Sequence, residues 1–402
     1  MRVFAIKQAM RVAAVGALLL LVTAATAATA GAARQVPPRF LGMFWGDGIE
    51  AAPQPTQDAA WNLMSRAGVE TARLVFNWSL AQPEADGPID FTALDRVVAR
   101  AARTRIELVP IVMYAPRWAR IADTVAAPPK DPQTYADFVA ALVRRYGPRG
   151  SFWREHRELP YVPLRYWQIW NEPHLPYQWT VPDRREFRRY AFPNGYVALL
   201  RAASAAVHGA DRSARVVLAG LTNDSWNQLS ALYDAGVRGL FDVGAVQTYT
   251  GKPANVVRAL RLFRAVMRRH GDGRKGLWAT EVGWPAAKGR ARVPRYAREV
   301  VTDDRGVVKR LLVVHRLLVR AVRDRRIGVR RVYWYSWITR YRDRQNIFDY
   351  TGLLAWNGRR RFVRKPAFRA YVAVARALAG CARRSDGSCV PLPRPRRPNV
   401  SR

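Results

Sequence analysis

From residue 40 onward the chain alternates short apolar runs with longer stretches whose apolar residues recur at helical spacing. Eight runs read as strands: 40–45, 70–76, 106–113, 164–170, 215–220, 241–247, 276–281 and 329–337. Most are continuously apolar, as strands covered on both faces are. Between them, 91–103, 132–146, 190–208, 256–269 and 307–323 read as helices, with 366–378 as the last. Leu94, Val97, Val98 and Ala101 mark one such stripe. Eight strands alternating with helices predict a single α/β domain, a (β/α)8 TIM barrel spanning residues 36–380. An open doubly wound sheet is the alternative, but no glycine fingerprint follows the first strand.

Two of the apolar runs stop at a glutamate. One is Tyr166-Trp167-Gln168-Ile169-Trp170-Asn171-Glu172-Pro173, and the other is Leu277-Trp278-Ala279-Thr280-Glu281-Val282-Gly283-Trp284. A carboxylate at the end of a barrel strand stands at the C-terminal mouth, where barrels build their sites. A single glutamate there could be a salt-bridge or capping residue. Two, on strands four and seven and both in aromatic settings, point to chemistry that needs paired carboxylates. Breaking a glycosidic bond is such chemistry. One acid donates a proton to the leaving oxygen, and the other, ionised, attacks the anomeric carbon. Aromatic surroundings and a neighbouring negative charge would raise the donor's pKa.

These motifs resemble clan A of the glycoside hydrolases, most closely family 39 and its bacterial endoglycosidase relatives. Asn171-Glu172-Pro173 is similar to the clan's acid/base motif, and Thr280-Glu281-Val282-Gly283-Trp284 to its nucleophile motif. The resemblance implies a retaining hydrolase with Glu172 as acid/base and Glu281 as nucleophile. It implies that Asn171 hydrogen-bonds the sugar 2-hydroxyl, that Arg73 stands near the nucleophile and that Tyr249 hydrogen-bonds it. It also implies that Trp337 floors the −1 sugar, with a cis peptide to Ile338. Tyr114 and Trp118 fall in a family-like Tyr-Ala-Pro-Arg-Trp segment, and residues 90–95 are family-like too. The chain departs from the family after strand six. There Gln247-Thr248-Tyr249 replaces the usual His-x-Tyr, and a glutamine hydrogen-bonds without carrying charge. Trp45, Trp78, Trp179, Trp226, Trp284 and Trp356 fall in or near βα loops. Sugar rings pack on such faces, so Trp179 and Trp284 join the expected substrate contacts.

Composition changes the picture in three places. Residues 1–30 read as a cleavable signal peptide, which implies a secreted or cell-envelope protein. Arg2, Lys7 and Arg11 form its basic region, Val12 to Val22 its apolar region, and Ala25-Thr26-Ala27 or Ala28-Thr29-Ala30 its cleavage site. The apolar run is short for a membrane anchor, and no other segment could span a bilayer. Cys381 and Cys389 are the only cysteines, and an exported chain favours a local disulfide between them. They open a basic, Pro-rich tail, 381–402, expected to be disordered from Val390. The formal net charge is +37. Residues 1–30 hold three cations and no acid, so their removal leaves +34. Such a surface could recruit an anionic envelope polymer, or reflect compositional bias spread over helix faces. No nucleic-acid motif accompanies it.

No His/Cys cluster suggests a metal, no P-loop or dinucleotide fingerprint suggests a cofactor, and no Gly-x-Ser-x-Gly elbow suggests serine hydrolysis. The expected partner is an oligo- or polysaccharide. The rival readings are a catalytically weak glycan-binding barrel and a basic polymer-binding protein on an incidental barrel.

Overall fold

In the computed structural model, which describes residues 33–46, 52–182, 187–339, 344–356, 358 and 362–392, eight parallel strands close into a barrel in chain order. They are β1 (Leu41–Phe44), β2 (Thr71–Asn77), β3 (Glu107–Met113), β4 (Tyr166–Ile169), β5 (Arg215–Val217), β6 (Val243–Thr248), β7 (Gly276–Val282) and β8 (Arg331–Trp334). β8 closes the barrel on β1, with Leu41, Gly42 and Met43 opposite Val332, Tyr333 and Trp334. The fold is the TIM barrel that the sequence pattern predicts.

Val109, Val217, Val243, Ala245, Trp278 and Tyr333 pack together inside the N-terminal half of the barrel. Gly42 admits the Tyr333 ring, since a Cβ there would lie 2.6 Å from it. The barrel is therefore filled below, which leaves its C-terminal mouth for a site. Helices cover the outside for the reason their sequences suggest. Helix Pro132–Tyr146 starts on a proline, and the Asp131 side chain accepts from the Gln133 amide. It buries Tyr135, Phe138, Val139, Leu142 and Tyr146, which recur every three or four residues. Burying an aliphatic or Phe side chain of this kind contributes about 1.5–3 kcal/mol. Phe138 stacks on Trp78, so Phe138→Ala would cost about 3–5 kcal/mol and lower the denaturation midpoint.

Several strands are shorter than their apolar runs, and the surplus residues shape the mouth. β4 stops at Ile169 because Trp170 and Glu172 turn into the left-handed region, with φ of +62° and +47°. Such a conformation costs a non-glycine residue strain, which collects at functional sites. β8 stops at Trp334, not at Trp337. Beyond it the chain leaves the barrel for a small sheet of β9 (Ile338–Thr339), β10 (Leu354–Trp356) and β11 (Phe362–Arg364).

Helix Pro366–Ala379 then leads into a hairpin, β12 (Cys381–Arg383) and β13 (Cys389–Pro391), closed by the Cys381–Cys389 disulfide. Disorder from Val390 is thus corrected: Val390 and Pro391 pair in this hairpin. Its partners explain why. Arg383 Nη2 donates to the Arg105 carbonyl at 2.6 Å, and Ser65 Oγ to the Arg384 carbonyl at 2.8 Å. Residues 1–30, expected from the sequence to be a signal peptide, and residues 393–402 lie outside the described residues. Among the described residues, no helix is long and apolar enough to cross a membrane.

Candidate active site

Four strands spread around the barrel, β2, β4, β6 and β7, deliver one hydrogen-bonded network to the mouth. Arg73, from β2, is fully buried. Its Nη1 donates to Glu281 Oε1 at 2.7 Å, its Nη2 to Asn171 Oδ1 at 2.6 Å and its Nε to Gln168 Oε1 at 2.7 Å. Gln247, from β6, donates through one Nε2 to both Asn171 Oδ1 and Glu281 Oε1, each at 2.8 Å. A register shift between Val246 and Gln247 sets Gln247 opposite Glu281. Gly220 leaves the space, because a Cβ there would lie 2.2 Å from Gln247 Nε2. The Tyr249 hydroxyl donates to Glu281 Oε2. Burial, followed by the Glu281 charge, pushes the Tyr249 phenol well above its ordinary pKa, so it remains a donor. Glu281 thus receives a guanidinium, an amide and a phenol, the partners that suit an ionised carboxylate. Asn171 Oδ1 is taken by Arg73 and Gln247, which leaves its Nδ2 for the cavity.

Glu172 stands in the opposite environment. It is buried, and among the described residues no salt bridge reaches it. Burial first and the Glu281 charge second push its pKa up to about 8, against a smaller downward pull from Arg73. The acid is therefore largely protonated at neutral pH. Two residues on, His174 meets Thr222 Oγ1 through Nε2 at 2.8 Å, and burial lowers its pKa to about 4, so it is neutral. One wall carries a proton and the other an oriented acceptor, which is what acid-assisted nucleophilic displacement requires.

Both glutamates line a cavity of about 530 Å³ at the mouth. Phe44, Tyr114, Tyr249, Tyr335 and Phe348 give it aromatic walls, and Asn171, Gln178, Thr222, Asn223 and Asn346 supply polar groups. Among the described residues, no cluster of His, Cys, Asp and Glu could hold a metal ion.

Solved structures of the same shape share this architecture. A family 39 glycoside hydrolase from Bacteroides cellulosilyticus WH2 matches over 87% of this chain and 65% of its own, with TM-score 0.64 and 16% identity. A monomeric β-xylosidase from Caulobacter crescentus CB15 matches over 85% and 69%, with TM-score 0.57 and 17% identity. A family 1 β-glucosidase from Thermotoga maritima matches over 86% and 100%, with TM-score 0.61 and 10% identity. The likeness is one of fold, a closed TIM barrel. The likeness agrees with the resemblance carried by the two glutamate motifs. The chain spans about two thirds of the family 39 protein's length. No protein-family model and no curated protein sequence matches the chain.

The structure brings together Glu172, Glu281, Asn171, Arg73, Gln247, Tyr249 and Tyr114. It sets the expected tryptophans elsewhere. Trp337 is fully buried against Phe368, with centroids 5.9 Å apart, and does not line the cavity. The reason is the early end of β8: Trp337 already belongs to the segment that runs under helix Pro366–Ala379. Tyr335 lines the cavity instead, stacked on Phe44 at 4.8 Å and edge-on to Tyr249 at 5.9 Å. The cis peptide lies at Tyr335–Ser336, not at Trp337–Ile338.

Trp179 and Trp284 are buried too, donating to the Tyr190 and Thr250 carbonyls. Trp118 packs edge-on against Trp78 and donates to the Gln82 carbonyl at 3.2 Å. These indoles brace the loops rather than line the cavity. Sequence reasoning missed Gln168, Tyr335 and two rim tyrosines, Tyr177 and Tyr296. Gln168 carried a signal, since a polar residue in a buried strand must have a partner.

Proposed function

We propose that this protein is a retaining glycoside hydrolase. Glu281 attacks the anomeric carbon while Glu172 protonates the departing oxygen. Glu172 then deprotonates the water that releases the sugar from Glu281. The observation that carries this reading is the asymmetry of the pair. One carboxyl, buried without a salt bridge, has its pKa at about 8, while its neighbour accepts from Arg73, Gln247 and Tyr249. Asn171 Nδ2 would donate to the sugar 2-hydroxyl, and Tyr335 and Phe44 would pack under the ring.

The substrate is a β-linked oligo- or polysaccharide, a reading supported by neighbours named β-xylosidase and β-glucosidase. Export through the 1–30 segment would bring the enzyme to extracellular or envelope glycans, and its basic surface would concentrate anionic polymers. The test is a panel of aryl β-glycosides and polysaccharides, with proton NMR of the first-formed product. Retention of configuration is expected. Inversion, or no turnover across the panel, would end this reading.

A further inference from the structure

Two tyrosines at the cavity rim have no role in the chemistry above. Tyr177 is 68% exposed and Tyr296 84% exposed, and both line the cavity. They come from different loops. Tyr177 follows β4, and Tyr296 sits in the short 3-10 turn Arg295–Ala297 after β7. Each presents an aromatic face at the edge of a polar cavity, the kind of face on which a sugar ring packs.

The loops that present them are braced. The Leu175 amide donates to the Glu172 carbonyl and the Gln178 amide to the Leu175 carbonyl, each at 2.9 Å, folding the chain tightly after the acid. Trp170 Nε1 donates to the Gln178 carbonyl at 2.9 Å and ties that fold to the end of β4. On the other loop the Ala297 amide donates to the Pro294 carbonyl at 3.0 Å.

We propose that Tyr177 and Tyr296 form an aromatic clamp for the leaving-group sugar, a +1 subsite on the Glu172 side of the cavity. The side follows from the chemistry. A general acid must stand beside the leaving oxygen, so a ring folded next to Glu172 meets the departing group, not the sugar bound to Glu281. The alternating C–H faces of a pyranose would pack on both rings. The enzyme then recognises at least two sugar units, one on each side of the scissile bond. This inference rests on the glycosidase reading for its orientation.

The test is calorimetric titration of the Glu172→Gln protein, whose amide mimics the protonated acid and prevents turnover. Cellobiose and xylobiose are compared with glucose and xylose. Adding Tyr177→Ala and Tyr296→Ala should weaken binding of a disaccharide about tenfold while changing monosaccharide binding less than twofold. Tyr177→Phe with Tyr296→Phe should restore it, since stacking needs the ring and not the hydroxyl. An equal loss for both sugar sizes, no loss, or no disaccharide binding by the parent would overturn the clamp. Turnover of β-glucosyl and β-xylosyl fluoride by the unmodified enzyme is measured separately. Its absence would sink the glycosidase reading while the titrations still judge the clamp.

Discussion

Among the described residues, an arginine–glutamate pair stands at each end of the barrel. At the base, Arg331 pairs with Glu107, and its guanidinium lies 4.4 Å from the ring centroids of both Tyr166 and Trp278. At the mouth, Arg73 pairs with Glu281 at 2.7 Å. Both pairs adjoin cavities of similar size, about 520 and 530 Å³. Size, burial and an ion pair therefore do not distinguish the two ends. At the base the charges close on one another, and Arg39 adds a further contact to Glu107 at 3.4 Å. At the mouth a second carboxyl, Glu172, is buried beside the pair without a cation of its own among the described residues. A closed pair contributes structure, whereas an uncompensated acid next to it has a shifted pKa and a proton to give.

Removing one carboxylate from each end should break the symmetry most. Glu281→Gln should lower kcat/KM by about 10⁴-fold or more on every substrate, since it deletes the attacking group. Glu107→Gln should leave kcat/KM within about threefold. It strands the Arg331 charge, at a cost of about 3–5 kcal/mol, so the loss appears as a lower melting temperature. A large activity loss with Glu107→Gln would make the base a functional site and undo the comparison.

Glu172→Ala should cost about 10²–10⁴-fold on substrates with poor leaving groups. Aryl glycosides with good leaving groups need no proton and should be largely spared, with azide restoring the second step. Equal losses on both classes would remove the acid role.

The pH dependence sharpens the contrast. The Glu172 pKa rises from 4.5 to about 8 on folding, so the folded protein binds the extra proton between those values. Activity on poor leaving groups should fall as pH rises through about 8. The group's contribution to stability is full below 4.5 and is lost as pH rises through 8. Glu172→Gln should therefore raise the melting temperature more at pH 9 than at pH 4.5. An equal shift at both values would mean that Glu172 is not the buried acid.

Gly220→Ala places a Cβ 2.2 Å from Gln247 Nε2 and should loosen the bridge between Asn171 and Glu281. A loss of about 10- to 100-fold in kcat is expected, given what a misplaced catalytic group costs. Unchanged kinetics would show that Gln247 does not position the pair. The smallest effect belongs to the surface charge. Raising salt to about 0.5 M should change kcat on a neutral glycoside less than twofold, because screening acts on distant, exposed charges.

The barrel was legible because buried strands and amphipathic helices leave periodic apolar patterns. The paired glutamates were legible because each ends such a run. The aromatic contacts were not, and Trp337 shows why. A tryptophan three residues past a strand faces either the cavity or the core, depending on where the ladder stops. The apolar run continues through both outcomes, so its composition does not mark the end at Trp334. Tyr177 and Tyr296 lie in loops, where no period separates a sugar contact from ordinary surface. Gln247 was visible as a departure, but its bridging role needed the register shift beside it.

The central claim is that Glu281 forms a covalent bond to the sugar while Glu172 handles the proton. A 2-deoxy-2-fluoro-β-glycosyl fluoride slows release of that intermediate, and peptide mass mapping then locates it. The account predicts stoichiometric inactivation with one adduct, on the peptide containing Glu281. An adduct on Glu172 or elsewhere, or full turnover on substrate without any adduct, would contradict it.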